Sequence, residues 1–591
     1  MDAASGAAAP RRRSGRPRVQ PEGPSAYVDK APWTGQRFAV AAANPLATEA
    51  GYQMLHAGGS AVDAAVAVQM VLGLVEPQSS GIGGGAFLLH FDGRRVEAFD
   101  GRETAPAAVD GQLFMGPDGR PLPFMQAIVG GRAVGVPGVV RMLEMAHRQH
   151  GRLPWRSLFE PAIALAERGF AISPRLHALL VAEDHLQRDP VARAYFHDAQ
   201  GQPWPIGHVL RNPEYAAVLR LVAARGSRGL HEGEVAQAIV DKVRSHPGNP
   251  GRMALADLSA YKARKREPLC VDYRVRRAAA AISADDRDYR ICGMPPPSSG
   301  GIAVAQILGM LENTPAAALG LHDGLPQAQW LHLYTEAARL AFADRALYVG
   351  DPDYVRSPAA GWHSLVAPAY LAERARLIGA QRMKTAPAGQ PGGQRSSLAP
   401  MPEQPEYGTS HISIVDGSGR ALAMTTSIED AWGARQMVRG FLLNNQLSDF
   451  SFEPADAQGR PVANRVEPGK RPRSSMAPTL VFDKRSGELL MTAGSPGGPV
   501  IIHFVAKTLY GMLNWGLAPQ QAVSLPNFAV IDGPLMLEQK RFPADTRQAL
   551  QVRGHTVRET PMPSGLQAIR RTPAGLLGGA DPRREGLVMG E

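Results

Sequence analysis

Cysteine is nearly absent from this sequence: a chain of 591 residues contains only two, Cys270 and Cys292. Two thiols cannot form the disulfide framework that holds many small secreted domains together. Each cysteine stands in a short extended segment between apolar neighbours, and we predict small buried hydrophobic residues in preference to a disulfide bridge. Neither segment suggests a metal site, and we predict no bound metal.

Long hydrophobic runs are also missing. The longest, residues 64–75, is interrupted by Gln69 and is well short of the ~20 residues that a membrane-spanning helix needs. It predicts a buried helix, and we expect no membrane span. No apolar core of a signal peptide follows the arginines at residues 11–18, so the residues themselves indicate no export signal.

Asp and Glu residues are fewer than Lys and Arg residues, and the formal net charge of +10 has the sign that is typical of nucleic-acid-binding proteins. The chain has only 20% charged and 6% aromatic residues, and it has no basic stripe interleaved with aromatic side chains. We therefore predict no nucleic-acid partner. The concentrated basic patch at residues 11–18 lies in a leader rich in Pro, Gly and Ala, and we predict that residues 1–36 are disordered.

Apolar patterning predicts strands that alternate with helices. A strand at residues 38–43 precedes two helices, the second opened by Ser60 and Asp63. The glycine-rich run at residues 81–85 leads into a strand and lacks the Lys–Ser/Thr pair of a phosphate-binding loop, so it predicts close packing rather than a nucleotide site. Helices such as residues 139–150 and 330–348 are assigned to the scaffold.

The second half of the chain begins with a polar segment, residues 379–408, whose Pro and Gly content and lack of periodicity predict a mobile linker. A strand starting at Thr409 follows it. Further strands are predicted at residues 421–427, 479–482 and 489–493, and a helix at residues 501–510. Strands grouped in two layers with helices outside indicate an α+β sandwich.

Residues 405–450 contain the most informative motifs. Gly408 and Thr409 place a small hydroxyl residue after a flexible position at a strand start, a pair that alone is typical of a turn. The same stretch continues with the segments 425–429 and 442–450. In this order the motifs resemble the start of the small subunit of the gamma-glutamyltranspeptidases. Other matching segments are residues 45–51, 58–65, 76–85, 102–106, 295–301, 350–352, 470–479 and 494–498, so the resemblance extends from about residue 37 to the C-terminus.

The resemblance implies a four-layer αββα sandwich of the N-terminal-nucleophile hydrolase type. It also implies self-cleavage between Gly408 and Thr409, which would leave a heterodimer of a large subunit, residues 37–408, and a small catalytic subunit, residues 409–591. The implied substrate is a γ-glutamyl amide such as glutathione. The implied acceptor is water, an amino acid or a dipeptide, and no cofactor is implied.

The resemblance assigns roles residue by residue. The nucleophile is Thr409, its hydroxyl is supported by Ser427, and the oxyanion is bound by the backbone of Gly497 and Gly498; the α-carboxylate is bound by Arg102, Ser474 and Ser475, and the α-ammonium by Glu429, Gln446 and Asp449. Two positions depart from the family pattern, since many relatives have Asn at Glu429 and a basic residue at Val500. The segment 451–468, where relatives carry a lid, is also shorter than in many of them.

Two alternatives remain from the sequence. A glutaryl-type β-lactam acylase on the same fold would have little need for an ammonium site, and Gln446 and Asp449 argue against it. A processing-dead binding protein would not need Thr409, Arg102 and both glycines together. The compartment stays open, because the family implies a periplasmic enzyme whereas the residues show no signal peptide and so suggest the cytoplasm.

Overall fold

The computed structural model describes residues 27–276, 287–393, 395–405 and 408–591. The strands are β1 Trp33–Gly35, β2 Ala39–Ala42, β3 Gly85–Phe91, β4 Val96–Asp100, β5 Phe170–Ala171, β6 Val209–Leu210, β7 Arg264–Arg266, β8 Leu269–Val275, β9 Arg287–Gly293, β10 Leu321–His322, β11 Leu325–Pro326, β12 Ser410–Val415, β13 Ala421–Ser427, β14 Met437–Val438, β15 Phe441–Leu442, β16 Thr479–Asp483, β17 Leu489–Gly494, β18 Phe528–Ala529, β19 Leu535–Glu538, β20 Val557–Thr560, β21 Gln567–Thr572, β22 Gly575–Ala580 and β23 Leu587–Gly590. The helices are α1 Pro45–His56, α2 Ala61–Val75, α3 Phe124–Ile128, α4 Val139–His150, α5 Glu160–Arg168, α6 Pro174–Val181, α7 Pro190–Phe196, α8 Pro213–Arg225, α9 Arg228–His231, α10 Gly233–Arg244, α11 Leu255–Ala260, α12 Gly300–Glu312, α13 Ala328–Tyr348, α14 Pro368–Ala375, α15 Ile501–Leu513, α16 Pro519–Ser524 and α17 Ala544–Val552. Within the described ranges, no helix is long and apolar enough to cross a membrane.

Two large antiparallel sheets form the centre of the molecule. The first has the strand order β23-β2-β12-β13-β3-β4-β7, and the second has the order β1-β22-β21-β17-β16-β9-β8. Because β12 and β13 are antiparallel neighbours with Ser410 opposite Thr426, the start of β12 and the end of β13 lie side by side at one end of these central strands. Thr409 and Ser427 lie at this end.

The sheets bury their strands on both faces. In β3, Phe87 and Leu89 pack in one hydrophobic cluster with residues of the second sheet, whereas Ala86 and Leu88 pack with helices α1 and α2. Strands β12 and β13 contact β17 of the second sheet, and α2 contacts β12 and β13 from the other side. Helices α12 and α15 in turn contact strands of the second sheet. A strand covered in this way reads as a continuous apolar run rather than an alternating one.

Local signals predicted several elements well. The predicted helix at residues 139–150 has the bounds of α4, and the helix predicted to begin near residue 330 begins two residues earlier, at Ala328. Ser60 and Asp63 form a reciprocal capping box at the start of α2. Such a box satisfies backbone N–H groups that the first turn leaves without partners. Helix starts of this kind are therefore confirmed.

The prediction for the cysteines is wrong. Cys270 on β8 and Cys292 on β9 are joined in a disulfide. The two strands are antiparallel neighbours, and their register places the cysteines directly opposite one another with the Cα atoms 4.0 Å apart. The register of the two strands brings the thiols together, and this proximity is not visible in the local sequence around either cysteine.

Two predicted segments fall partly outside the described residues. The leader was expected to be disordered through residue 36, but Trp33–Gly35 pair with β22, so the predicted boundary is too late; residues 1–26 lie outside the described residues. The linker at residues 379–408 has no long helix or strand where it is described, and its predicted mobility stays a prediction.

Candidate functional site

The carbonyl oxygen of Gly408 lies between two hydroxyl groups. Thr409, which is buried at the start of β12, donates a hydrogen bond from Oγ1 to this oxygen. Ser427, at the end of β13, donates to the same oxygen over 2.9 Å. The backbone N–H of Glu429 donates to Ser427 Oγ over 2.8 Å and so fixes that hydroxyl. Both side chains expected to act at the Gly408–Thr409 bond therefore contact its carbonyl group.

Gly408 has a backbone that favours glycine. Its φ is +46°, in the left-handed region, which other residues rarely occupy. A Cβ atom at this position would lie 2.0 Å from the carbonyl oxygen of Glu429. A side chain here would therefore push the peptide bond away from Thr409 and Ser427.

Eight of the eleven residues predicted for the site line one small pocket. These are Arg102, Thr409, Ser427, Gln446, Asp449, Ser474, Ser475 and Gly498, and Met476 and Ile501 complete the lining. The three predicted residues outside this lining are Gly408, Glu429 and Gly497. Residues more than 300 positions apart in the sequence thus meet at one place.

Arg102 is held rigidly just beyond the end of β4. Its Nε donates to the carbonyl of Pro472 over 3.1 Å, and Nη2 donates to the carbonyl of Arg473 over 3.0 Å. Nη2 also forms a buried ion pair with the carboxylate of Asp449. The sequence reasoning placed Arg102 and Asp449 in two separate binding groups, whereas in the structure they contact each other.

Asp449 and Gln446 belong to one short helical turn at Gln446–Asp449. Gln446 Nε2 donates to Asp449 Oδ2 over 2.8 Å. The third predicted member of this group, Glu429, accepts hydrogen bonds at its carboxylate from Asn445 Nδ2 and from Ser448 Oγ, the latter over 3.2 Å. Two of the three residues are therefore brought together in the pocket, and Glu429 supports the turn from beside it.

The serine pair is held by a segment that sequence reasoning left without a role. Ser475 Oγ accepts a hydrogen bond from Arg345 Nη2 over 2.6 Å, and Arg345 Nε donates to Ser299 Oγ over 2.9 Å. Ser299 Oγ in turn donates to the carbonyl of Ser474 over 2.7 Å. Arg345 lies on α13, which was assigned to the scaffold, so the site depends on that helix directly. Helix α13 carries several other polar residues, among them Glu336 and Arg339, so nothing in the local sequence distinguished Arg345.

Gly497 and Gly498 form the turn between β17 and α15. Their φ angles are +138° and +58°, values that L side chains rarely adopt. Gly498 opens a short 3₁₀ turn, Gly498–Val500, that leads directly into α15. Gly498 lines the same pocket as Thr409, so the turn that leads into α15 lies beside the predicted nucleophile.

Glu103 is a buried carboxyl group that the sequence reasoning missed. It is fully buried beside Arg102, with 3.8 Å between Arg102 Nη1 and its Oε2. Burial raises the pKa of Glu103 to about 8, and the nearby charge of Arg102 only partly opposes this effect. The carboxyl group is therefore largely protonated at neutral pH, so the charge balance of the pocket depends mainly on Arg102 and Asp449.

His411 lies between the two sheets, two residues after Thr409. Its ring nitrogens contact Thr425 Oγ1 at 2.8 Å and Ser413 Oγ at 3.0 Å. Burial lowers the pKa of His411 to about 3. A histidine with so low a pKa is a poor proton acceptor, so it does not supply a general base for Thr409.

A buried threonine hydroxyl against a backbone carbonyl, beside a pocket with paired charges, is the arrangement expected of an amide-cleaving hydrolase. Comparison with known proteins gives the family. The model of the gamma-glutamyltranspeptidase family matches residues 47–591. The glutathione hydrolase proenzyme of Bacillus subtilis (strain 168) is 34% identical, over 94% of this chain and 92% of that protein.

Two further relatives carry acylase names. The Acylase ACY 1 proenzyme of Pseudomonas sp. (strain V22) is 35% identical, over 93% of each protein. The crystal structure of a cephalosporin acylase from Bacillus halodurans is similar in fold, with a TM-score of 0.77 over 98% of both chains at 24% identity. With the family match over nearly its whole length, the chain belongs to the gamma-glutamyltranspeptidase family, which confirms the resemblance.

Proposed function

We propose that this protein cleaves γ-glutamyl amide bonds, as in glutathione, and passes the glutamyl group to water, an amino acid or a dipeptide. The observation that carries the proposal is the pocket in which Thr409 and Ser427 meet Arg102 and Asp449. Its hydroxyl nucleophile and its paired charges match the two requirements of such a substrate, an amide to attack and a zwitterionic end to bind. Glutathione hydrolase proenzymes among the relatives support this assignment.

The first step is self-processing. Thr409 Oγ1 attacks the carbonyl carbon of Gly408, the peptide C–N bond breaks, an ester C–O bond forms, and the hydroxyl proton passes to the released amine. The hydrogen bond from Ser427 Oγ to the Gly408 oxygen supports the negative charge that develops there. Water then hydrolyses the ester, which leaves a carboxylate on Gly408 and a free α-amine on Thr409.

The new α-amine is the general base of the mature enzyme. An N-terminal amine has a pKa of about 7.7–8.0, so a large fraction is available near neutral pH to accept the proton of Thr409 Oγ1. The hydroxyl oxygen attacks the γ-carbonyl carbon of the substrate, the protonated α-amine gives its proton to the leaving amine as the C–N bond breaks, and a glutamyl ester remains on Thr409. Backbone N–H groups of Gly497 and Gly498 stabilise the oxyanion, a contribution of ~2.7–4 kcal/mol for each donor.

The ion pair between Arg102 and Asp449 prepares the pocket for a zwitterion. A substrate carboxylate takes a place on Arg102, with Ser474 and Ser475 as further donors, and a substrate ammonium takes a place on Asp449 and Gln446. Both side chains are buried in the unliganded protein, and leaving either charge without a partner is costly. A ligand that supplies both charges replaces the pair, whereas a ligand with one charge leaves the other residue without a counter-ion.

The same proposal covers the architecture and the assembly. The sheet-to-sheet contacts and the helices on the outer faces support a four-layer αββα sandwich of the N-terminal-nucleophile hydrolase type. Arg102 comes from residues 37–408 and Asp449 from residues 409–591. A complete pocket therefore requires the two cleavage products to remain together as a heterodimer.

An acylase that acts on glutaryl amides is the second candidate, favoured by the relatives with that name. A γ-glutamyl anilide and the matching glutaryl anilide differ only in the α-amine, so their relative rates test the choice. We expect the purified protein to prefer the γ-glutamyl compound by at least tenfold in kcat/KM. Equal rates, or a preference for the glutaryl compound, would replace the proposed substrate class with that of an acylase.

A further inference from the structure

A second cluster of chemically active side chains lies away from the threonine pocket, between the first sheet and α4. His90 on β3 and Glu97 on β4 are directly opposite one another across the two strands, and His150 is the last residue of α4. One ligand-type atom from each residue lies within 4.8 Å of the other two. Over the ranges that the structure describes, this is the one such group of three histidine, cysteine or acidic residues.

His90 is the unusual member of the cluster. Its side chain is fully buried, and neither ring nitrogen has a hydrogen-bond partner among the described residues. A buried polar group without a partner is unfavourable and therefore needs an explanation. The ring of His90 lies 4.2 Å from that of His150, centroid to centroid, so its nitrogens are close to a second imidazole and to the carboxylate of Glu97.

Glu97 has its two oxygens in different surroundings. Oε1 accepts a hydrogen bond from Lys265 Nζ over 2.5 Å and forms an ion pair with Arg95 Nη2 at 2.9 Å. Oε2 lies 2.5 Å from His150 Nε2. Lys265 and Arg95 are exposed and both contact Oε1, so Oε2 can act as a ligand while Oε1 keeps these outer contacts.

We propose that His90, Glu97 and His150 bind a Zn²⁺ ion, with water as the fourth ligand. Two imidazoles and one carboxylate are a donor set that suits Zn²⁺, whereas Mg²⁺ and Ca²⁺ favour oxygen ligands. Ligand atoms around a tetrahedral Zn²⁺ stand about 3.3 Å apart, as follows from Zn–N bonds of ~2.0–2.1 Å. Since His150 Nε2 and Glu97 Oε2 are only 2.5 Å apart, the His150 side chain must move slightly and exchange its contact with Glu97 for the metal. His150 is at the end of α4, and its side chain is 12% exposed.

The site is structural rather than catalytic. His90 is five residues along β3 from Gly85, which pairs with Ser427, a separation of about 17 Å at ~3.4 Å per residue. The ion joins the β3–β4 hairpin to α4 and contacts no part of the threonine pocket. No metal was expected because neither cysteine segment suggests a metal site. His90 and His150 are 60 positions apart in the sequence and approach each other only in the folded chain.

Zinc binding is measured on the full-length protein after chelation and dialysis. Isothermal titration with Zn²⁺ is expected to give one equivalent per chain, and Co²⁺ is expected to give the visible absorption of a tetrahedral site. His150→Ala and Glu97→Gln should each weaken binding at least tenfold. His322→Ala, which removes an exposed histidine outside the cluster, should bind as the parent protein does. Zn²⁺ should raise the Tm of the parent protein and of His322→Ala but not of His150→Ala.

Folding of the variants is checked independently by cleavage at Thr409 and by γ-glutamyl anilide hydrolysis, which should both be unchanged. If Glu97→Gln fails this check, the comparison of His150→Ala with His322→Ala decides the question. Absence of zinc binding in the parent protein would overturn the proposal, as would equal binding in folded His150→Ala. Binding of Mg²⁺ at the same affinity would also overturn it.

Discussion

Asp449 gives the sharpest test of how the pocket selects a substrate. Its carboxylate contacts Arg102 and Gln446, and its side chain is only 7% exposed. Asp449→Asn keeps the shape of the side chain but removes the negative charge. The variant therefore separates binding of the α-ammonium from packing in the pocket.

The expected magnitude follows from the burial of that charge. Removing one partner of a desolvated charge pair costs about 2–5 kcal/mol, and 1.36 kcal/mol corresponds to a tenfold change in rate. The kcat/KM for a γ-glutamyl anilide should therefore fall by about 30- to 5000-fold. The glutaryl anilide has no amine, so its kcat/KM should stay the same or rise as Arg102 is released for its carboxylate.

The assay is the release of the coloured aniline from each compound over a range of concentrations. Asp456→Asn is the matched control, because Asp456 lies in the same part of the chain and its carboxylate contacts only Arg460 and Gln458 in its own turn. It should leave both rates unchanged. An equal loss with both substrates in Asp449→Asn would refute the reasoning, since it would mean that Asp449 acts by holding Arg102 and not by binding the ammonium.

Three further predictions concern processing, pH and the acceptor. Gly408→Ala should slow cleavage severely, because the new Cβ would lie 2.0 Å from the carbonyl oxygen of Glu429; Gly417→Ala, with no atom within 4 Å of its Cβ, should be cleaved normally on a gel time course. Because the pKa of Glu103 is raised, the folded protein keeps a proton that the unfolded chain releases, so the Tm should fall as pH rises from about 4.5 to about 8. Glu103→Gln should flatten this dependence of Tm on pH. An unchanged slope of Tm against pH in the variant would contradict the prediction. With the short segment 451–468, hydrolysis should exceed transfer at neutral pH with modest dipeptide, and mostly transferred product would refute this.

Elements with local signals were predictable from the sequence. Helix α4 was found with its observed bounds, and the capping pair Ser60 and Asp63 marked the start of α2. Capping and helical periodicity depend on residues a few positions apart, which a single sequence displays directly. The site residues were proposed for another reason, since their motifs resemble those of a family, and their roles stay predictions.

Contacts between distant parts of the chain were not predictable in the same way. The Cys270–Cys292 bridge depends on the register of β8 against β9, and the ion pair of Arg102 with Asp449 joins residues 347 positions apart. Neither contact can be predicted from the residues that are neighbours in the sequence. The contact of Arg345 with Ser475 was missed for the same reason, because helical periodicity places a side chain on a face but does not identify what that face meets.

The central claim is that Thr409 cuts the chain before itself and then serves as the nucleophile. The most direct test is denaturing electrophoresis of the purified protein, with N-terminal sequencing of the smaller fragment. We expect two fragments, the smaller beginning Thr409-Ser410-His411, and a single inactive chain for Thr409→Ala. A wild-type protein that stays intact yet cleaves γ-glutamyl anilide at full rate would contradict the account.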